Sequence, residues 1–141
     1  MPRSAMTPPK TMAFRRLGDL FVVVHTAAPP DDDEWDAYFE AVSPLDPLKT
    51  RTLVFTRGGG PNAEQRARVK ALLNGRTSLV SVVTESVWVR TLVKVLQWDN
   101  PQMRAFSPDE MDEAYCHIRL TPAEIDVASR EMAAMRRELR V

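Results

Sequence analysis

Short runs of β-branched and aromatic residues alternate along this chain with segments that carry helix-capping signals, and this alternation restricts the fold more than any other feature. Residues 12–16 and 20–26 are β-rich and separated by Gly18-Asp19, a break that predicts an antiparallel hairpin. The acids Asp31-Asp32-Asp33-Glu34 can cap free backbone N–H groups and face the positive end of a helix dipole. Trp35, Tyr38, Phe39 and Val42 then fall on one helical face, and Pro44 and Pro47 end the helix. Arg51-Thr52-Leu53-Val54-Phe55-Thr56 is the third strand.

The Gly58-Gly59-Gly60 turn leads to Pro61, which suits a first helical position, and Ala67, Val69, Leu72 and Leu73 precede an Asn74-Gly75 stop. Residues 78–83 read as a fourth strand. Thr84 can cap a helix over 85–98 that is apolar nearly all round, which predicts that it is mostly buried, with Trp88 and Trp98 in core or rim packing. Residues 103–106 form a short last strand. Ser107-Pro108-Asp109-Glu110 and Thr121-Pro122-Ala123-Glu124 have the capping-box pattern with proline next to the cap, so two helices start there. In the second, over 122–140, Ile125, Ala128, Met132, Met135 and Leu139 make a narrow apolar stripe that either packs on the sheet or pairs with a second chain.

This order predicts an α/β fold: a mixed, mostly parallel sheet of about five strands, with an antiparallel edge from the opening hairpin and helices packed on the sheet. The 141 residues fit one domain over 12–141, preceded by a flexible lead over 1–11. The single cysteine, Cys116, excludes an internal disulfide and a cysteine-based zinc site, and points to the cytoplasm. Net charge is zero but sorted: 19–46 holds acids and no Lys or Arg, whereas ten basic residues between Lys49 and Arg104 face only Glu64, Glu85 and Asp99. The acids of the first segment are available to neutralise the second, and nucleic-acid binding is not expected without a recognisable motif.

The element order resembles the STAS and SpoIIAA-like domains, in particular short bacterial members grouped with the CRAL-TRIO fold. The resemblance covers about residues 14–120 and rests on Trp35 opening the first helix, Arg51-Thr52-Leu53-Val54-Phe55 as a central strand, and Met103-Arg104-Ala105-Phe106 followed by Glu110-Met111-Asp112-Glu113-Ala114. It implies a non-enzymatic regulatory module that docks a protein partner. In the anti-anti-sigma members of the family, a serine or threonine at the helix start after the central strand is phosphorylated. The matching stretch here, Thr56-Arg57-Gly58-Gly59-Gly60-Pro61-Asn62-Ala63, has no serine, and its one threonine ends the strand. A module without that switch is therefore expected.

The same stretch supplies the candidate site: Thr56, Arg57, Gly58, Gly59, Gly60, Asn62 and Arg66. Its glycines allow close backbone approach, N–H groups at a helix start attract anions, and the carboxyl end of a strand is where open α/β sheets bind ligands. A lipid or small anion in this crevice, held by a carrier or sensor, is the alternative to partner docking; a tight connection that needs positive φ is the structural alternative to both. Cys116 and His117 are adjacent on a helix, so their side chains diverge by about 100° and form no nucleophile–base pair. His25 has no second metal ligand at a shared spacing. No catalytic set, metal or cofactor is expected, nor a membrane span, and the oligomeric state is expected to be monomer or homodimer.

Overall fold

The structure, a computed structural model, describes residues 9–141; the first eight residues of the expected lead lie outside the described residues. Five strands form one sheet in the order β1 (Met12–Leu17), β2 (Leu20–His25), β3 (Arg51–Thr56), β4 (Leu79–Thr84) and β5 (Met103–Phe106). β1 and β2 are antiparallel, with Leu17 opposite Leu20, and the two-residue connection is made by Gly18 at φ 67°, a value that tight hairpin turns require. The remaining neighbours are parallel, in registers that place Val23 beside Val54 and Val54 beside Val82. Thr11, expected in the lead, is instead tied down: its N–H and hydroxyl donate to Glu34 at 2.8 and 2.5 Å.

Three helices cross between successive parallel strands: α1 (Asp32–Val42), α2 (Ala63–Leu73) and α3 (Val87–Leu96). Strand order never reverses, so right-handed crossovers put all three on one face of the sheet. The other face is covered by α4 (Met111–His117) and α5 (Pro122–Leu139), which pack on β4–β5 and β1–β2. Alternation along the strands divides the side chains accordingly: Leu20, Val22, Val24, Leu53, Phe55, Val83 and Phe106 form one core with α4 and α5. Phe21, Val23, Val54, Val80 and Val82 face α1–α3. Among the described residues, no helix is long and apolar enough to cross a membrane.

Four helix starts differ in detail from expectation or confirm it. Asp31 caps α1 and pairs reciprocally with Glu34, as its acids suggest. α2 starts at Ala63 with Asn62 as cap, not at Pro61, because Asn62 and Gln65 satisfy each other's backbone N–H groups at 2.8 and 2.9 Å. Ser86, not Thr84, caps α3; Thr84 still belongs to β4, and its hydroxyl donates to Thr56 carbonyl oxygen at 2.8 Å. Thr121 opens α5 through its box with Glu124.

Of the two alternatives for the stripe on α5, packing on the sheet is the one present, and the burial expected of α3 is corrected. Ala128, Met132, Met135 and Leu139 are buried in the core on the α4–α5 face, and Ile125 is half-buried. This stripe covers the sheet, so it does not present a surface for pairing with a second chain. α3 is not mostly buried either: Val89 and Val93 face the sheet, while Val87, Trp88, Val95 and Trp98 are exposed, Trp98 at 89%. A helix laid on the outside of an open sheet can bury only one stripe, whatever the composition of its other side.

Candidate functional site

α2 is the reason a site exists. Its first two turns, Ala63-Glu64-Gln65-Arg66-Ala67-Arg68, carry no bulky apolar side chain, and its only buried residue is a glutamine, Gln65. Gln65 clasps the start of α2 to the start of α1, its Nε2 donating to Pro30 carbonyl oxygen at 3.4 Å and to Asp32 at 3.3 Å. Val69, Leu72 and Leu73 point toward the sheet yet remain half-buried. The helix therefore stands off the sheet, and a cavity of about 510 Å³ lies beneath α1, α2 and α3.

Its floor is Phe21, Val23, Thr52, Val54, Val80 and Val82, and its roof includes Val69, Leu73, Val89, Leu92 and Val93. At the end where the strands begin, the Asn100 side chain accepts from Ser78 N–H at 3.1 Å and donates to Ser78 carbonyl oxygen at 3.0 Å, and Ser78 hydroxyl donates to Thr50 carbonyl oxygen at 3.0 Å. That end is polar but saturated. At the other end His25 and Trp35 enter the wall, each 4% exposed. His25 Nδ1 and Trp35 Nε1 are buried without a hydrogen-bond partner. Burial holds the His25 imidazole down at about 4 against a weaker opposing influence of Glu34, so the ring is neutral at pH 7.

Six of the seven predicted site residues, Thr56, Gly58, Gly59, Gly60, Asn62 and Arg66, line this cavity. The seventh, Arg57, does not: side-chain alternation sends it to the opposite face, where its guanidinium lies 5.5 Å from the Phe55 ring and donates to Val141 carbonyl oxygen at 2.6 Å. The glycine turn is also less open to an anion than its composition suggests. Gly58 N–H donates to Thr56 hydroxyl at 3.0 Å, Gly59 N–H to Thr26 carbonyl oxygen at 2.9 Å, and Asn62 N–H to Gln65 at 2.9 Å. Thr56 hydroxyl donates to Gly59 carbonyl oxygen at 2.5 Å. Gly58 has φ 132°, as the tight-connection reading requires, and Gly59 is needed for close approach, because a Cβ there would lie 2.1 Å from Ala28 carbonyl oxygen.

Sequence reasoning found the glycine rim but missed the apolar interior and the His25–Trp35 wall. The available signal was the polar first half of α2, which leaves the valines of β3 and β4 without a covering side chain. Three of the ten basic residues of the middle segment pair with acids of the first: Arg51 with Asp19 at 2.7 Å, Arg68 with Asp36 at 2.6 Å, and Arg76 with Asp46 at 3.7 Å. Cys116 is exposed. Set against protein-family models, curated proteins and solved structures, the chain matches none of them.

Proposed function

We propose that this protein binds an apolar small molecule in the cavity under α2, as a carrier or sensor and without a catalytic step. The observation that carries the reading is the 510 Å³ space with a predominantly aliphatic floor and roof, within the range of small-molecule sites. Of the two ligand classes expected at the Gly58–Gly60 crevice, the apolar one is favoured, since several of the turn's backbone donors are already bonded within the protein.

The test is a pair of measurements on Val82→Phe, which places a ring in the cavity. Apolar ligands should raise the melting temperature of the natural chain and leave that of the variant unmoved. A variant that binds as well as the natural chain would remove the cavity from consideration.

Docking of a protein partner, the use that the STAS-like resemblance implies, has its own support in the exposed Val87, Trp88 and Val95 of α3 and Trp98 in the turn after it. It places the interface away from Arg57 and Arg66, whose guanidinium groups bond Val141 and Pro61 carbonyl oxygens. On this reading Trp88→Ser with Trp98→Ser abolishes partner capture, whereas Arg66→Glu leaves it intact. Capture unaffected by the tryptophan changes would exclude that face. The resembling element order fits either use and does not choose between them.

A further inference from the structure

α3 is the last of the three helices on its face of the sheet and lies over β5, the edge strand, so its outer side borders solvent. Trp88, Thr91 and Val95 follow one another on that side at spacings of three and four, the repeat at which two helices meet along a seam. Val87 flanks the start of the seam. Trp98 comes next, in the turn after the helix, and its N–H donates to Val95 carbonyl oxygen at 3.2 Å, which keeps the two residues adjacent. Val87, Trp88, Val95 and Trp98 are 77, 67, 59 and 89% exposed. Together they present roughly 500 Å² of mostly apolar surface, toward the upper end of what a free monomer shows.

We infer that this face pairs with the same face of a second copy, the two α3 helices running antiparallel about a two-fold axis beside Thr91. Antiparallel pairing sets Trp88 against Val95 of the second copy and Val87 against its Trp98, so each indole meets a small aliphatic side chain; parallel pairing sets indole on indole. Thr91, at the crossing, is small, and its hydroxyl already donates to Val87 carbonyl oxygen at 3.0 Å, so covering it leaves no donor unpaired. Charge agrees. Glu85 lies just before α3 and Lys94 near its end, both exposed, and neither pairs with an opposite charge among the described residues. An antiparallel pair brings Lys94 of each copy toward Glu85 of the other, whereas a parallel pair opposes like charges. A lipid surface is the poorer occupant: Glu85 and Asp99, one at each end of the face, repel anionic headgroups, and Lys94 is the one exposed basic residue of the helix. The partner of the docking reading is thereby the chain itself, and the cavity takes no part. Because the patch falls short of the roughly 800 Å² per partner of a stable interface, the pair forms in the micromolar range. At about 1 μM chain it is dissociated and the face is in water, the state in which the stability of the single chain is read.

The experiment is sedimentation velocity of the full chain from about 1 to about 300 μM, across which the sedimentation coefficient should rise from the monomer's value toward the dimer's. Trp88→Ser with Trp98→Ser should keep the monomer's value throughout, with an unchanged circular dichroism spectrum. Lys94→Glu should weaken the dimer about tenfold, and Glu85→Lys added to it should restore association, because the exchanged charges again face their opposites. A natural chain that stays monomeric at the highest concentration would overturn the inference while leaving the docking reading to a foreign partner. A dimer that survives loss of both tryptophans would overturn it too, by placing the contact on another face. Failure of the charge exchange to restore association would refute the antiparallel arrangement. A monomer that instead floats with phosphatidylcholine–phosphatidylglycerol vesicles would give the face to a lipid surface. Glu85 and Lys94 are both exposed, so the charge exchange decides the question even if the tryptophan variant does not fold.

Discussion

Arg51, the first residue of β3, grips both carboxylate oxygens of Glu124, in the first turn of α5, at 3.1 and 2.5 Å. The same guanidinium donates to Arg119 carbonyl oxygen at 3.1 Å and to Asp19 at 2.7 Å. One side chain thus joins the hairpin, the sheet and the loop that turns the chain from α4 into α5. The arrangement pulls the Glu124 carboxyl down to about 2, chiefly through the hydrogen bonds from Arg51.

Arg51→Met should therefore cost about 2–3 kcal/mol, because it leaves the carboxylates of Glu124 and Asp19 and the carbonyl oxygens of Ile118 and Arg119 without their donor. Glu124→Gln, which keeps the cap with Thr121, should cost about 1 kcal/mol, since the side chain is partly solvated and its pairing is screened. The folded carboxyl is more acidic than the unfolded one, so its contribution is present above about pH 4.5 and is lost as pH falls toward 2. Urea unfolding of both variants at pH 7 and pH 2.5 checks this: the Glu124→Gln deficit should shrink at the lower pH.

Gly59 and Gly60 are adjacent and chemically identical, yet they should respond oppositely to alanine. A Cβ on Gly59 would meet backbone carbonyl oxygens of Ala28 and Thr26 at 2.1 and 2.5 Å, whereas one on Gly60 has nothing within 4 Å. Gly59→Ala should lose about 2–4 kcal/mol by forcing two loops apart. Gly60→Ala should be neutral or stabilising by about 0.5 kcal/mol through the unfolded state. Denaturation midpoints of the two variants decide it, and equal losses would refute the close-approach account.

The glycine contrast also marks the limit of what sequence reveals here. Strand and helix alternation, the hairpin at Gly18-Asp19, the acidic cap at Asp31 and the box at Thr121 are local signals, set within a few residues by turn and cap chemistry, and all are present in the fold, whereas the box at Ser107 opens a 3₁₀ turn over Pro108–Glu110 and α4 follows only from Met111. Gly59's requirement comes from a segment some thirty positions earlier, which no local pattern encodes. The cavity is harder still, because it arises from what α2 lacks rather than from what it has. α3 misled for a related reason: composition reports how apolar a helix is, but not whether a second layer exists to cover its outer side.

His25 predicts an acid-sensitive step. Its folded imidazole is held down at about 4 from an ordinary 6.5 by burial, so the unfolded chain takes up a proton first as pH falls. Stability is fully present above about pH 6.5 and is lost as pH falls toward 4. The loss should reach about 2 kcal/mol by pH 5, before most carboxylates titrate. Unfolding free energy of the natural chain and of His25→Phe across pH 5–7.5 should diverge at the acid end, the variant staying flat; parallel curves would mean the ring is not buried neutral.

α3 offers the sharpest contrast between burial and composition. Val93 is 3% exposed against the sheet, and Trp98, in the turn that follows the helix, is 89% exposed. Val93→Ala removes methyl groups from a packed site and should cost about 2 kcal/mol. Trp98→Ser removes a far larger apolar group and should change stability by no more than about 0.5 kcal/mol, because that group stays in water in both states. The larger residue should thus matter less. A Trp98→Ser chain as destabilised as Val93→Ala would mean that the outer face of α3 is covered in solution, and a concentration dependence of its unfolding midpoint would identify a second copy as the cover.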